Sequence, residues 1–161
     1  MALGVLPPAF VGADSRDSLS YPYAHAGETL WLGMPVMPMT LRVPIRITGV
    51  RVHGEVGGVK LAFFDMLLGG PNGGRHVDGL TDGTFRRAGF HLGKSLIGTV
   101  FRPGTPTHYG IVRMTLPGPG SYEIDSITLT YMSSSGASGS QLIADLFKTS
   151  TCDPHCPAGA G

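Results

Sequence analysis

The sequence predicts an all-β domain, an antiparallel sandwich of about seven or eight short strands. Three observations lead there. Glycine (25) and proline (13) are abundant in 161 residues, and both break helices and punctuate strands. Between them lie apolar runs with a period of two, the mark of a strand buried on one face. Hydrophobic residues make up 42% of the chain, enough for a core between two sheets without metals or a dense disulfide framework.

The chain opens on an apolar stretch, residues 1–13, shorter than the roughly 20 residues of a membrane span. It lacks the basic segment of a signal peptide. It reads either as a first strand pinned to the sheet or as the remnant of a removed membrane anchor. Residues 1–19 are therefore set apart as an N-terminal extension, residues 20–150 as the sandwich, and residues 151–161 as a loose tail.

Residues 14–27 are polar with aromatic anchors at Tyr21 and Tyr23, and residues 28–34 read as a strand. Pro35 and Pro38 then interrupt it, so residues 34–40 are a turn or an edge segment. Val43, Ile45 and Ile47 alternate with polar neighbours, but the apolar positions continue as Val50 and Val52. That change of parity would turn the apolar set outward unless the chain adds a residue, so a bulge or corner is expected at Thr48-Gly49. Pro44 suggests that this strand starts at an edge.

Residues 59–66 are a further strand, followed by a long glycine-rich loop over about residues 68–84, a length at which loops are often functional. Residues 96–101 and 108–115 read as two strands. Residues 121–132 form another, with a second parity change between Ile124 and Ile127. The serine-rich stretch at 133–140 is a hairpin tip, and residues 141–149 are expected as a final strand paired with the one before.

The stretch Pro117-Gly118-Pro119-Gly120-Ser121-Tyr122 resembles the P-G-x-Y approach to a late strand in immunoglobulin-like and fibronectin-like domains. The resemblance implies an immunoglobulin-like antiparallel sandwich with a corner at Tyr122, its hydroxyl bonded back to the main chain. Ala26-Gly27-Glu28-Thr29-Leu30-Trp31-Leu32-Gly33, with Val43-Pro44-Ile45-Arg46-Ile47 after it, is similar to the first half of small exported or membrane-anchored sandwich proteins of Gram-positive bacteria. The likeness spans about residues 26–150 and lacks the paired inter-sheet cysteines of antibody domains. It implies an extracytoplasmic location, an anchor outside this sequence, and no enzymatic activity.

Charged residues are only 14%, and the net charge is +1. Nucleic acid is thus not expected as a partner, because phosphate binding needs a concentrated basic surface. Ala88-Gly89-Phe90-His91-Leu92-Gly93-Lys94-Ser95 loosely matches a phosphate loop, but a strand-like segment follows it where the chemistry needs a helix. The histidines are scattered, and no G-x-S-x-G elbow occurs. Asp65, Asp78 and Asp82 around the long loop lack the spacing of a calcium loop.

Two clusters suit soft metals. Met34, Met37 and Met39 with His25 offer thioether and imidazole ligands for Cu(I), although methionines also fill irregular core edges. Cys152, His155 and Cys156 could hold zinc or copper; the same cysteines could instead form a small disulfide loop or remain free thiols. The leading expectation is a non-catalytic interaction or structural assembly domain without a cofactor. Its partner would be another protein or a second copy of the chain. Metal binding is the first alternative. The second is carbohydrate binding through Trp31, Tyr21, Tyr23 or Tyr109.

Overall fold

A computed structural model describes residues 4–11, 18–34, 37–38, 41–67, 72–73, 77, 79–103 and 108–151, some strand-end residues by backbone alone. The elements run β1 (Phe10–Val11), β2 (Ser18–Ala24), β3 (Thr29–Met34), β4 (Met37–Pro38), β5 (Ile45–Glu55) and β6 (Lys60–Leu67). They continue with β7 (Leu80–Thr81), α1 (Asp82–Ala88), β8 (Val100–Phe101), β9 (His108–Thr115), β10 (Ser121–Ser133) and β11 (Ser138–Thr151). One sheet has the order β2-β11-β10-β5-β8, a second β6-β9-β3-β7, and β1 and β4 form a small ribbon. The architecture is all-β and mostly antiparallel, in two main sheets. The one parallel pairing among the described strands is that of β2 with β11.

A single apolar core joins the facing sides of the two sheets. Leu30, Leu32, Val112 and Met114 come from the four-stranded sheet. Ile45, Ile47, Ile124, Ile127, Leu129, Tyr131, Ile143 and Phe147 come from the five-stranded one. The alternation in the sequence assigns Ile45, Ile47, Ile124, Ile127, Leu129 and Tyr131 inward, and both expected parity changes are bulges. Opposite β10, Thr130 pairs with Gly49 and Tyr131 with Ile47, so Thr48 is the extra residue. Ile124 pairs with Gly54 and Ser126 with His53, so Asp125 is the extra residue of the second bulge. Each insertion keeps the apolar set on the core side across the switch.

The segment set apart as an N-terminal extension supplies Ala9 and Phe10 to the core. Gln141, buried beneath it, accepts from the Ala9 and Phe10 N–H groups at 3.0 Å and donates to the Phe10 carbonyl at 2.8 Å. One amide side chain thus satisfies backbone groups that strand pairing would otherwise serve. Tyr131 donates its hydroxyl to the Pro7 carbonyl at 2.9 Å, and Phe10 makes edge-to-face contacts with Phe101 and Tyr131. Gly139 opposes Tyr131 across the β10–β11 pair, where a Cβ would overlap the ring, so the tyrosine needs glycine there.

Two expectations are corrected. Of residues 96–101, only Val100–Phe101 is strand. Leu96 is buried, the Thr99 N–H closes a turn onto its carbonyl, and Gly98 adopts φ 93°. The loop expected over residues 68–84 ends instead in β7 and α1. The Thr81 hydroxyl caps α1 by accepting from the Thr84 N–H, and Gly89 closes it in the left-handed region at φ 69°.

Candidate functional site

The two faces of the four-stranded sheet are covered differently. The inner face meets the five-stranded sheet. On the outer face, β3, β9 and β6 run in register, giving rows Thr29–Thr115–Lys60, Trp31–Arg113–Ala62 and Gly33–Ile111–Phe64. A second apolar cluster of Trp31, Met66, Val77, Phe85 and Ile111, flanked by Phe64, Leu80, Phe90 and Leu92, covers the rows nearer Met66. Phe85 of α1 is its centre. Its ring stacks on Trp31 at 4.1 Å with 5° between planes, and on Phe90 at 5.2 Å.

The rows toward Lys60 lie beyond this cap. There, Thr29, Trp31, Lys60, Ala62, Asp82, Arg86, Arg113 and Thr115 line a cleft of about 270 Å³. Trp31 forms its boundary with the cap. The indole is only 5% exposed and donates to Asp82 Oδ1 at 2.9 Å. Asp82 Oδ2 takes the Arg86 Nε at 2.9 Å, so both carboxylate oxygens have cationic or N–H partners. The Arg113 guanidinium lies over the Trp31 and Phe64 rings, 5.6 and 5.4 Å from their centroids. Among the described residues, neither Arg113 nor Lys60 is ion-paired. The cleft therefore carries a net positive charge against a wall of rigid rings.

Its construction is local. The alternation of β9 puts Ile111, Arg113 and Thr115 on the outer face, while Val112 and Met114 enter the inner core. Lys60 and Thr115 are paired across the sheet. The Thr29 and Thr115 hydroxyls are hydrogen-bonded at 3.1 Å on the cleft floor.

The residues singled out in the sequence fall elsewhere. Met39, Cys152, His155 and Cys156 lie outside the described residues, and Met34 and Met37 are placed by backbone alone. The backbone N–H of His25 donates to Glu28 Oε2 at 2.7 Å, in the turn before β3. Among the described residues, no group of three or more His, Cys, Asp or Glu side chains is positioned to hold a metal ion. Tyr21, Tyr23 and Tyr109 are likewise placed by backbone alone. Trp31 is stacked on Phe85 and only 5% exposed rather than open to a sugar ring. The segment resembling a phosphate loop runs from the end of α1 into a loop, with Gly93 against the Asp65 carbonyl. Tyr122 is 8% exposed, and its hydroxyl donates to the Gly118 carbonyl at 2.7 Å.

Sequence reasoning missed Arg113, Lys60, Asp82 and Arg86 as a group. A signal existed for part of it. Thr81-Asp82-Gly83-Thr84, followed by Arg86-Arg87-Ala88-Gly89, carries a cap, an acidic first turn, a basic last turn and a closing glycine. In comparison with known proteins, no family model, no curated protein and no solved structure matches the chain.

Proposed function

We propose that the chain is a non-catalytic interaction domain working outside the cytoplasm, on an immunoglobulin-like sandwich frame. One observation carries this reading: a sheet face covered over part of its area and left, beyond the cap, with a rigid, cationic cleft. Groups of that kind hold a partner. Among the described residues, the cleft has no nucleophile beside a general base. The Tyr122 corner and the two half-apolar faces support the immunoglobulin-like frame. The low overall charge makes the local excess in the cleft the dominant field on that face. Metal binding rests, His25 apart, on residues outside those described or placed by backbone alone, and carbohydrate binding on a buried indole and on tyrosines placed by backbone alone.

Photo-crosslinking tests the reading on cells that display the protein. A crosslinker replaces Ala62 in the cleft or Thr130 on the outer face of the other sheet. A single saturable product from position 62, absent from position 130, is expected. Equal labelling from both positions, or none, would remove the basis for this function.

A further inference from the structure

We infer that the cleft beside α1 takes a carboxylate from an acidic, extended segment of a protein partner. The inference rests on the interaction reading above and names the chemistry of the partner.

The charge argument is direct. Lys60 and Arg113 have no carboxylate among the described residues, and Asp82 already has Arg86 and the Trp31 N–H on its two oxygens. Arg113 is held over two rings, one of them fixed by Phe85, so its fork is ordered before a ligand arrives. A preordered guanidinium loses less freedom on binding and matches a planar carboxylate with two parallel bonds. On the same floor the Thr29 and Thr115 hydroxyls share one proton between them, which leaves the other to donate to a remaining lone pair.

Other anions fit less well. Phosphate sites are usually built from clustered backbone N–H groups, and here those of β3 and β9 are taken up in strand pairing. An acidic sugar would need an open ring platform, and Trp31 is buried against Phe85.

The backbone beside the cleft favours a peptide. β6 is an edge strand of its sheet. From Phe63 onward the segment 93–96 covers that edge: Leu96 N–H donates to Phe63 O, Asp65 N–H to Lys94 O, and Gly93 N–H to Asp65 O. Outward bonding alternates along a strand, so Leu61 also points out from the edge. Among the described residues, no bond reaches its outward N–H or C=O. Leu61 adjoins Lys60. A partner strand that pairs at Leu61 places its next acidic side chain beside Lys60 and Arg113, with main-chain bonds giving affinity and the cleft giving selectivity.

Trp31 is the sole tryptophan, so its fluorescence reports the cleft directly. The probes are a blocked tetra-glutamate peptide, its tetra-glutamine counterpart, inorganic phosphate and glucuronate, titrated at fixed ionic strength. A saturable change with the glutamate peptide is expected, with binding about tenfold weaker or worse for the glutamine peptide and for Arg113→Ala or Lys60→Ala, as loss of a charge-assisted pair requires. Arg51→Ala, on the other sheet, serves as the control and should bind as the parent does. Thermal midpoints of all variants check that folding is intact. The Leu61 amide should exchange more slowly with the glutamate peptide bound. Equal binding of both peptides, unchanged binding in the two cleft variants, or tighter binding of phosphate or glucuronate would overturn the assignment. A positive peptide titration together with a failed crosslink at position 62 would sink the interaction function while leaving the cleft chemistry standing.

Discussion

The inner and outer faces of the four-stranded sheet solve the same problem with different means. The inner face is closed by a second sheet. Residues such as Leu30, Val112 and Met114 meet aliphatic side chains along whole strands, and many of them have no exposed surface at all. The outer face is closed by a helix of 7 residues and a stack of rings, Trp31 on Phe85 on Phe90. A helix that short does not persist by itself, so its stability comes from packing on the sheet. The inner face defines the fold. The outer cap is a local structure that ends partway across the sheet, and its end is what makes a cleft. Function is available where the cover is incomplete.

The comparison can be broken at its strong side first. Leu129, fully buried between the sheets, loses packing with no means of repair when shortened. Leu129→Ala should cost about 2–5 kcal/mol, the range for a large-to-small change in a core. Equilibrium denaturation measures it. A cost below about 1 kcal/mol would mean that the inter-sheet core is loosely packed around this side chain.

At the cap the expected effect is smaller and confined. Phe85→Ala removes the ring between Trp31 and Phe90. Exchange protection of the cap amides should fall by about 2–3 kcal/mol, while the amides of β10 and β11 lose under about 1 kcal/mol, because local opening limits what one substitution can cost the whole. Trp31 emission should move to the red. Equal loss of protection in both regions would show that cap and sandwich form one cooperative unit.

The corner gives a third, smaller effect. Tyr122→Phe deletes the bond to the Gly118 carbonyl and leaves the ring in place. The loss should be about 0.5–1.5 kcal/mol, the net value of one such bond. An unchanged denaturation midpoint would show that the corner is held by packing alone.

The smallest effect belongs to pH. Burial raises the Tyr131 hydroxyl above the ordinary tyrosine value of 10.0, against a smaller opposing effect of a backbone hydrogen bond at Ala9. The unfolded chain therefore releases this proton first. The stability linked to Tyr131 is complete below pH about 10 and declines as pH rises from there through the folded-state value, since the folded form holds the proton longer. A stability–pH series of the parent against Tyr131→Phe isolates it. Identical slopes above pH about 10 would exclude a contribution from this hydroxyl.

Much of the inner architecture was legible along the chain. The shift from Ile47 to Val50 and the shift from Ile124 to Ile127 called for added residues, and Thr48 and Asp125 are those residues. These signals are local: side-chain direction alternates with backbone position, so a break in the pattern has to be a break in the ladder. The helix was less legible because its apolar content is almost wholly Phe85, too little for a helical period. Its caps were written in Thr81 and Gly89, amid many other glycines that carry no such role.

The sequence by itself determined that this chain makes strands, where the ladders need bulges, and that Tyr122 follows a Pro-Gly turn. Each of these depends on residues close together in the chain. The tertiary structure alone decided that Gln141 would hold the backbone of Phe10, that Phe85 would cover Trp31, and that Lys60, Arg86 and Arg113 would border one cleft. Strand order and register create those meetings between residues tens of positions apart. No local pattern encodes them, because each residue's own stretch is equally consistent with a solvated surface until another strand is placed beside it.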